Sequence, residues 1–289
     1  MTPNVPVSES STDSGGRALR LSGTAVAQVI GPLQSGYQRD DAWAVAAVAR
    51  LRREAGRDAY GSPTAWGLHH LEVLAELRER QRTTEPEGPG AGKAAAAYFR
   101  SGPYVHQKDQ ELREDTAVHL AVTLWALHQQ SLRDEPMHLA GWPLGRSVRR
   151  LAHGKSGTHD GRPAAAGDAD TAADTRGSAP ERVEDVSEAV RKRFVRIGSA
   201  SDTEVLATRL REMVQLLRRA RIPLDYARLA DQLVRWQDEN TRDDVRRQWG
   251  RDFHRRHGDS ASARTGDEGT ETGVDEVPAG DFEADDADS

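Results

Sequence analysis

The sequence contains no cysteine, and it lacks other features that mark secreted and membrane proteins. Zero cysteines exclude disulfides and metal sites built on thiolates. The N-terminus has no apolar core of a signal peptide, because Val5-Pro6-Val7 is followed by serine and threonine. No apolar run approaches the length needed to span a bilayer. We therefore expect a soluble cytoplasmic protein without a membrane partner.

Signals for β-strands are also missing. The chain shows no sustained alternation of polar and apolar residues, no Asn-Gly hairpin turn and few β-branched runs. The apolar residues instead recur at helical spacing in several segments. The predicted fold class is all-α, with two small helical bundles, a disordered linker and disordered termini.

Composition divides the chain of 289 residues into five parts. Residues 1–35 are predicted to be mostly disordered, residues 154–180 to be a flexible linker, and residues 258–289 to be an acidic disordered tail. The remaining residues form an N-terminal bundle at 36–153 and a C-terminal bundle at 181–257. The tail alone has eleven acidic residues against one basic residue, so the net charge of -6 conceals two bundles that together are basic.

In the N-terminal bundle, helices are predicted at residues 38–54, 64–82 and 115–132, followed by a short basic helix from Leu144. The first of these is apolar nearly all round from Trp43 onward, which favours a buried helix. Residues 115–132 carry the strongest pattern and should form the central rod of the bundle.

The C-terminal bundle has four predicted helices in close succession. The clearest begins at a capping box, Ser201-Asp202-Thr203-Glu204, and continues with leucines at one face of a 3.6-residue period. It ends at Ile222-Pro223, because a proline disfavours helix in the residue before it. The others are predicted near residues 186–197, 229–236 and 243–256.

Two arginines fall inside the apolar arcs of their predicted helices. They are Arg193, in the basic run that begins at Arg191, and Arg209. A guanidinium is not buried alone, so each needs a carboxylate, a run of backbone carbonyls or an anion outside the fold. Asp225 and Asp231 are candidates for an internal ion pair.

The last predicted helix carries a row of arginines at four-residue spacing, Arg247, Arg251 and Arg255. One interpretation is a solvated face neutralised by Asp243 and Asp252. The other is a row that faces a phosphate backbone.

No catalytic or metal-binding constellation is recognisable. Gly92-Lys93 fails as a phosphate-binding loop, because Glu87 and Ala94 replace the residues that such a loop requires. The histidines do not indicate a metal site. His119 and His128 are expected to be partly buried, His159-Asp160 lies in the linker, and His254 and His257 lie at a helix end. The sequence predicts no cofactor, no metal site and no enzymatic activity.

Several segments together resemble one known family. In the second half they are Val190-Arg191-Lys192-Arg193-Phe194, Ile222-Pro223-Leu224-Asp225-Tyr226 and Val245-Arg246-Arg247-Gln248-Trp249-Gly250-Arg251-Asp252-Phe253. Earlier segments agree in order: Leu51-Arg52-Arg53, Ala126-Leu127-His128-Gln129 and Leu144-Gly145-Arg146. They are similar to the CasB family, the small subunit of Cascade, the type I-E CRISPR surveillance complex of antiviral defence. The resemblance covers roughly residues 40–257 apart from the linker.

The resemblance implies a non-catalytic protein that binds RNA and DNA inside a ribonucleoprotein. Its expected partners are the crRNA, the target DNA, the backbone and large subunits, and a second copy of itself. Basic residues would hold the guide–target assembly and the displaced strand by their phosphates, while base pairing reads the sequence. The residues that match basic positions of the family are Arg52, Arg53, Arg146, Arg193 and Arg211. Arg209 and Arg247 are added from helical periodicity alone.

Two other functions remain as alternatives at this point. Leu229–Trp236 followed by Thr241–Phe253 imitates a helix-turn-helix regulator of duplex DNA, but Asp243 and Asp244 lie where a recognition helix meets the bases. A nuclease or other phosphodiesterase would need metal-binding carboxylates or histidines that the pattern does not supply.

Overall fold

The part of the chain that the structure describes is helical. The computed structural model describes residues 18–61, 68–84, 101–158 and 179–255. Within these ranges the helices are α1 Leu21–Gln38, α2 Ala42–Glu54, α3 His69–Thr84, α4 Ser101–Gln129, α5 Leu144–Ala152, α6 Ala179–Gly198, α7 Thr203–Arg219, α8 Tyr226–Trp236 and α9 Glu239–His254. The same ranges contain one isolated β-bridge, between His138 and Leu224, and no longer strand. The all-α prediction is confirmed.

Helix α4 is the element around which the others pack. It contacts α1, α2, α3, α7 and α8. Residues 117–126 of α4 are all buried, which explains why this stretch is apolar nearly all round. The helix is longer than the predicted 115–132 because it begins at Ser101.

Helix α1 corrects the prediction for residues 21–35, which the sequence assigns to a mostly disordered segment. Ala25, Val26, Val29 and Ile30 are buried in the core. Their spacing is that of one helix face, but the Ser-, Thr- and Gly-rich residues before them dominate the composition of the segment. The helix packs most extensively against α8 and also contacts α2, α3 and α4.

Helix α2 also departs from its prediction. The sequence favours a helix that is buried all round, whereas the structure leaves the side chain of Trp43 54% exposed. Ala44, Val48 and Leu51 are buried instead. The physical reason is position: α2 packs mainly on α1 and α4, so its other side meets solvent.

Caps define the beginnings of the C-terminal helices, with one change of register. The N-cap of α7 is Asp202, whose carboxylate accepts the Val205 N–H at 2.8 Å, whereas the predicted cap is Ser201. Ser201 supports the cap by donating its hydroxyl to Asp202 at 2.7 Å. Helix α8 begins in the same way, because Asp225 accepts the Arg228 N–H at 2.9 Å.

Helix α9 docks on α5 and α8 through a close backbone approach and a buried indole. A Cβ at Gly145 would lie 2.4 Å from the Trp249 carbonyl oxygen, so only glycine permits this contact between α5 and α9. The Trp249 indole N–H donates to the Gln232 side-chain oxygen of α8 at 2.8 Å. Phe253 stacks on Phe194 of α6, with ring centroids 5.2 Å apart.

The two predicted groups of helices share one buried apolar cluster, which runs from Ala25 of α1 to Trp249 of α9. That residues 36–153 and 181–257 form separate bundles stays a prediction. The motifs at Gly92-Lys93, His159-Asp160 and His257 lie outside the described residues, as do the acidic tail and most of the linker. None of the described helices combines the length and hydropathy required to cross a bilayer.

Candidate nucleic-acid interface

A basic groove of about 510 Å³ lies between α6 and α7. Its cations are Lys192, Arg193, Arg196 and Arg219. Positions 192, 193 and 196 share one face of α6, because residues three and four apart are neighbours on a helix. One carboxylate, Glu212, also lines the groove, so the lining is strongly positive.

The cations of this groove are held only weakly by the protein itself. Lys192 pairs with Glu188 at 2.7 Å, but both side chains are about two-thirds exposed or more, and such pairs contribute roughly 0–1 kcal/mol. Arg193 reaches back to the Ala189 carbonyl at 3.4 Å, a long hydrogen bond. Arg196 and Arg219 form no salt bridge with the carboxylates in the described ranges. A phosphate that binds in the groove would therefore break few interactions within the protein.

Arg211 links α7 to the end of α2. Its guanidinium donates to the carbonyl oxygen of Ala55, the C-cap residue of α2, at 3.1 Å. Gly56 has φ +89°, and a Cβ there would lie 2.8 Å from the Arg211 guanidinium nitrogen. Glycine therefore permits the turn after α2. The contact satisfies a free carbonyl at a helix C-terminus, where a cation is favoured.

Two more predicted residues lie in the last turn of α2, within three residues of Ala55. Arg53 is exposed, whereas Arg52 is half-buried and its Nε atom has no hydrogen-bond partner. The Arg211–Ala55 contact therefore places Arg211 at the end of α2, the segment that carries Arg52 and Arg53. Arg193 lies in the neighbouring groove, which also borders on α7.

Three other predicted residues have contacts within the protein. Arg209 donates to the Arg196 carbonyl near the end of α6, which identifies a backbone carbonyl as its partner instead of Asp225 or Asp231. Arg146 donates to the Gly141 carbonyl at 2.9 Å and covers the ring of Trp142 at 4.1 Å.

Arg247 is exposed and pairs with Asp244 of its own helix. Neither Arg146, Arg209 nor Arg247 lines the groove between α6 and α7. Their binding to nucleic acid stays a prediction.

The helix pair α8–α9 does not favour duplex recognition. The carboxylates of Asp243 and Asp244 are 67% and 52% exposed in the first turns of α9, the end that would meet base edges. Asp238 caps the same helix by accepting the Asn240 N–H at 3.0 Å. Exposed negative charge at this end would repel DNA phosphates.

Histidines that could suggest metal binding are buried in the described core. His70 Nε2 lies 3.0 Å from His119 Nδ1, and burial lowers the pKa of both rings. His128 Nδ1 lies 2.9 Å from the Tyr226 hydroxyl, and burial lowers its pKa to about 3. In the described ranges no three His, Cys, Asp or Glu residues are grouped to hold a metal ion.

Comparison with known proteins identifies the family. The model of the CRISPR-associated protein Cse2 family matches residues 47–254. This chain belongs to the Cse2 family. It is 36% identical to CasB from Thermobifida fusca, with TM-score 0.55, over 82% of this chain and 100% of that one. A Cse2-family protein from Thermus thermophilus is 21% identical, with TM-score 0.44, over 80% of this chain and 96% of that one. No curated protein matches this chain.

The match confirms the resemblance to the CasB family that the sequence segments indicate. It does not locate the interface, and three of the groove cations are absent from the residues predicted to bind. Lys192 and Arg196 flank Arg193 on one face of α6, and this spacing could have identified them. Arg219 lies on another helix, and only the packing of α7 on α6 brings it to the same groove.

Proposed function

We propose that this Cse2-family protein is the small subunit of a type I-E Cascade complex and that it has no catalytic role. In the complex it holds the guide RNA–target DNA assembly and the displaced strand by phosphate contacts. Its partners are the crRNA, the target DNA, the backbone and large subunits, and a second copy of the chain. Membership of the Cse2 family supports this proposal, as does the 36% identity to a CasB protein.

The observation that carries the proposal is the basic groove between α6 and α7. Its arginines are exposed and weakly held, and the same helix α7 carries Arg211, which contacts the C-cap of α2. Phosphates bind such a surface without regard to sequence, because Lys and Arg contacts to the backbone carry no base information. The function needs this property, since base pairing to the guide supplies the specificity.

The test is a double variant, Arg193→Ala/Arg219→Ala, in the full chain and in the reconstituted complex. Each lost phosphate contact should make the slope of log affinity against log salt shallower by about 0.7 for a single strand. Two contacts should therefore change the slope by about 1.4. The matched control is Arg80→Ala, which removes an exposed arginine from α3, away from the groove.

Thermal melting separates this role from a structural one. Exposed arginines contribute little to stability, so the double variant should melt close to the wild type. An unchanged salt slope, or a large melting shift without loss of binding, would contradict the proposal. Incubating the protein with labelled nucleic acid and Mg²⁺ or Mn²⁺ tests the absence of catalysis, since cleavage would support the phosphodiesterase alternative.

A further inference from the structure

One indole stands out on the surface. Trp43, in the first turn of α2, is 54% exposed, although the other tryptophans in the described ranges are buried. They are Trp125, Trp142, Trp236 and Trp249. Tryptophan is enriched at interfaces, because its ring is apolar and its N–H is polar.

The ring is fixed on one side and open on the other. A Cβ at Gly36 of α1 would lie 2.9 Å from Cζ2 of Trp43, so the indole edge rests directly on the backbone of α1 at a glycine. A side chain at residue 36 would push the ring away. The exposed part is therefore presented in a defined position, which lowers the entropy cost of stacking a ligand on it.

Two arginines lie farther along the same face of α2. Residues 43, 46, 50 and 53 follow one another at i, i+3, i+7 and i+10, within an arc of about 80° at 100° per residue. All four side chains are exposed, and they are Trp43, Ala46, Arg50 and Arg53. At 1.5 Å per residue, Arg50 lies roughly 10 Å and Arg53 roughly 15 Å along the axis from Trp43.

The carboxylates nearest in sequence to this face are buried or paired. Glu54, the one carboxylate within α2, is 3% exposed. The two aspartates before the helix are paired, Asp40 with Arg133 and Asp41 with Arg39. The exposed face of α2 is therefore cationic at one end and aromatic at the other.

One contact connects the end of α2 to helix α7, which also lines the groove. Arg211 of α7 contacts the C-cap of α2 two residues after Arg53, and the groove between α6 and α7 borders the same helix α7. Arginines and an aromatic ring on one surface are the combination that single-strand binding proteins use.

We propose that the exposed face of α2 binds single-stranded nucleic acid, with Trp43 stacked on a base while Arg50 and Arg53 contact phosphates. This inference rests on the proposed function and adds a base contact to it. Every base has a π-face, so the contact tolerates any sequence. It uses a residue that the sequence assigns to a buried helix and that the structure leaves exposed.

The test compares Trp43→Ala and Trp43→Phe in the full chain, with oligo(dT) at low salt as the probe. Loss of one stacked base should weaken binding about 5- to 150-fold for Trp43→Ala. Trp43→Phe should retain much of the affinity, because phenylalanine also stacks. Leu112→Ala is the matched control, since Leu112 is 57% exposed on α4. An oligonucleotide of the same length without bases should bind wild type and Trp43→Ala equally.

Three outcomes would overturn the inference. Equal binding of oligo(dT) by wild type and Trp43→Ala is the first. The second is an equal loss with the base-free strand, which would place the effect in the fold and not in stacking. The third is a Trp43→Ala protein that binds the strand normally but does not assemble into the reconstituted complex, which would show that Trp43 contacts another protein. If Arg193→Ala/Arg219→Ala weakens binding and Trp43→Ala does not, the proposed function stands and this inference alone fails.

Discussion

Acidification should destabilise the protein through histidines that the core holds neutral. Burial lowers the pKa of His70 and of His128 to about 3 each. The adjacent His119 lowers the pKa of His70 further, and the Arg218 guanidinium does the same for His128. Their hydrogen-bonding neighbours, His119 and Tyr226, lie inside the same core and do not offset the burial of an added charge.

The sign follows from which state binds the proton first. An unfolded histidine has a pKa of about 6.5, so the unfolded chain takes up protons below that pH while the folded chain does not. Stability from these groups is complete above pH 6.5 and is lost as pH falls toward 3. At pH 5 the folded state still holds both rings neutral, and the loss is about 2 kcal/mol for each histidine.

The total for the two rings is about 4 kcal/mol at pH 5, a large part of the 5–15 kcal/mol typical of a domain. Burial also lowers the pKa of His119 and of His138, which act in the same direction. Asp231 opposes them, because burial raises its pKa and protonation then favours the folded state. Carboxylates with lowered pKa, such as Asp202, change the unfolding free energy only below about pH 4. They therefore do not contribute to its change between pH 6.5 and 5.

The assay is urea unfolding followed by circular dichroism at pH 7.5, 6 and 5. His128→Gln removes one titrating ring, so the change of unfolding free energy between pH 6 and 5 should become smaller by about 1.2 kcal/mol. His106→Gln is the matched control, because His106 is exposed on α4. The quantity compared is the change of unfolding free energy with pH. The absolute unfolding free energy is not compared, since any substitution at a buried site lowers it.

A stability that stays constant between pH 7.5 and 5 would refute this reasoning. Equal slopes for His128→Gln and the wild type would do the same for His128 alone.

Three further predictions concern packing, capping and binding. Trp249→Ala should lower the unfolding free energy by about 3–5 kcal/mol, because it empties a buried site and removes the hydrogen bond to Gln232; a wild-type urea midpoint would mean that α9 is not docked as described. Asp231→Asn should cost about 1–2 kcal/mol by chemical unfolding, because an amide offers one oxygen where the carboxylate accepts N–H groups from both Arg20 and Gly23; Asp243→Asn, at an exposed site, should cost less than half of that. The isolated chain should bind two unrelated single strands with the same affinity, and a marked preference for one duplex sequence would favour the helix-turn-helix alternative.

The sequence pattern alone predicts those helices whose own apolar spacing is clear. The apolar spacing of α7 predicts its buried face, and Leu206, Leu210, Met213 and Leu217 are buried as that spacing requires. The apolar run of α4 likewise predicts a central helix. In both cases one helix face carries enough apolar surface to be recognised without its neighbours.

The remaining features depend on residues far away in the chain. Helix α1 is capped by Asp231, which no local pattern near residue 21 can reveal. The exposure of Trp43 depends on which helices cover α2, and an apolar sequence alone cannot show that one side is left open. The groove needs Arg219 beside Arg193, and this proximity follows from the packing of α7 on α6.

The cap of α1 has a consequence for how the chain acquires its structure. Asp231 binds backbone N–H groups that precede it by 211 and 208 residues, so the start of the fold is closed by a segment near its end. During synthesis, α1 emerges long before α8, the helix that it packs against most extensively. Its buried face must wait for that partner, because contacts of such sequence separation form late and slowly. A nascent chain stopped before residue 226 would therefore present α1 without the helix that it packs against most extensively, and chaperones could bind its apolar face.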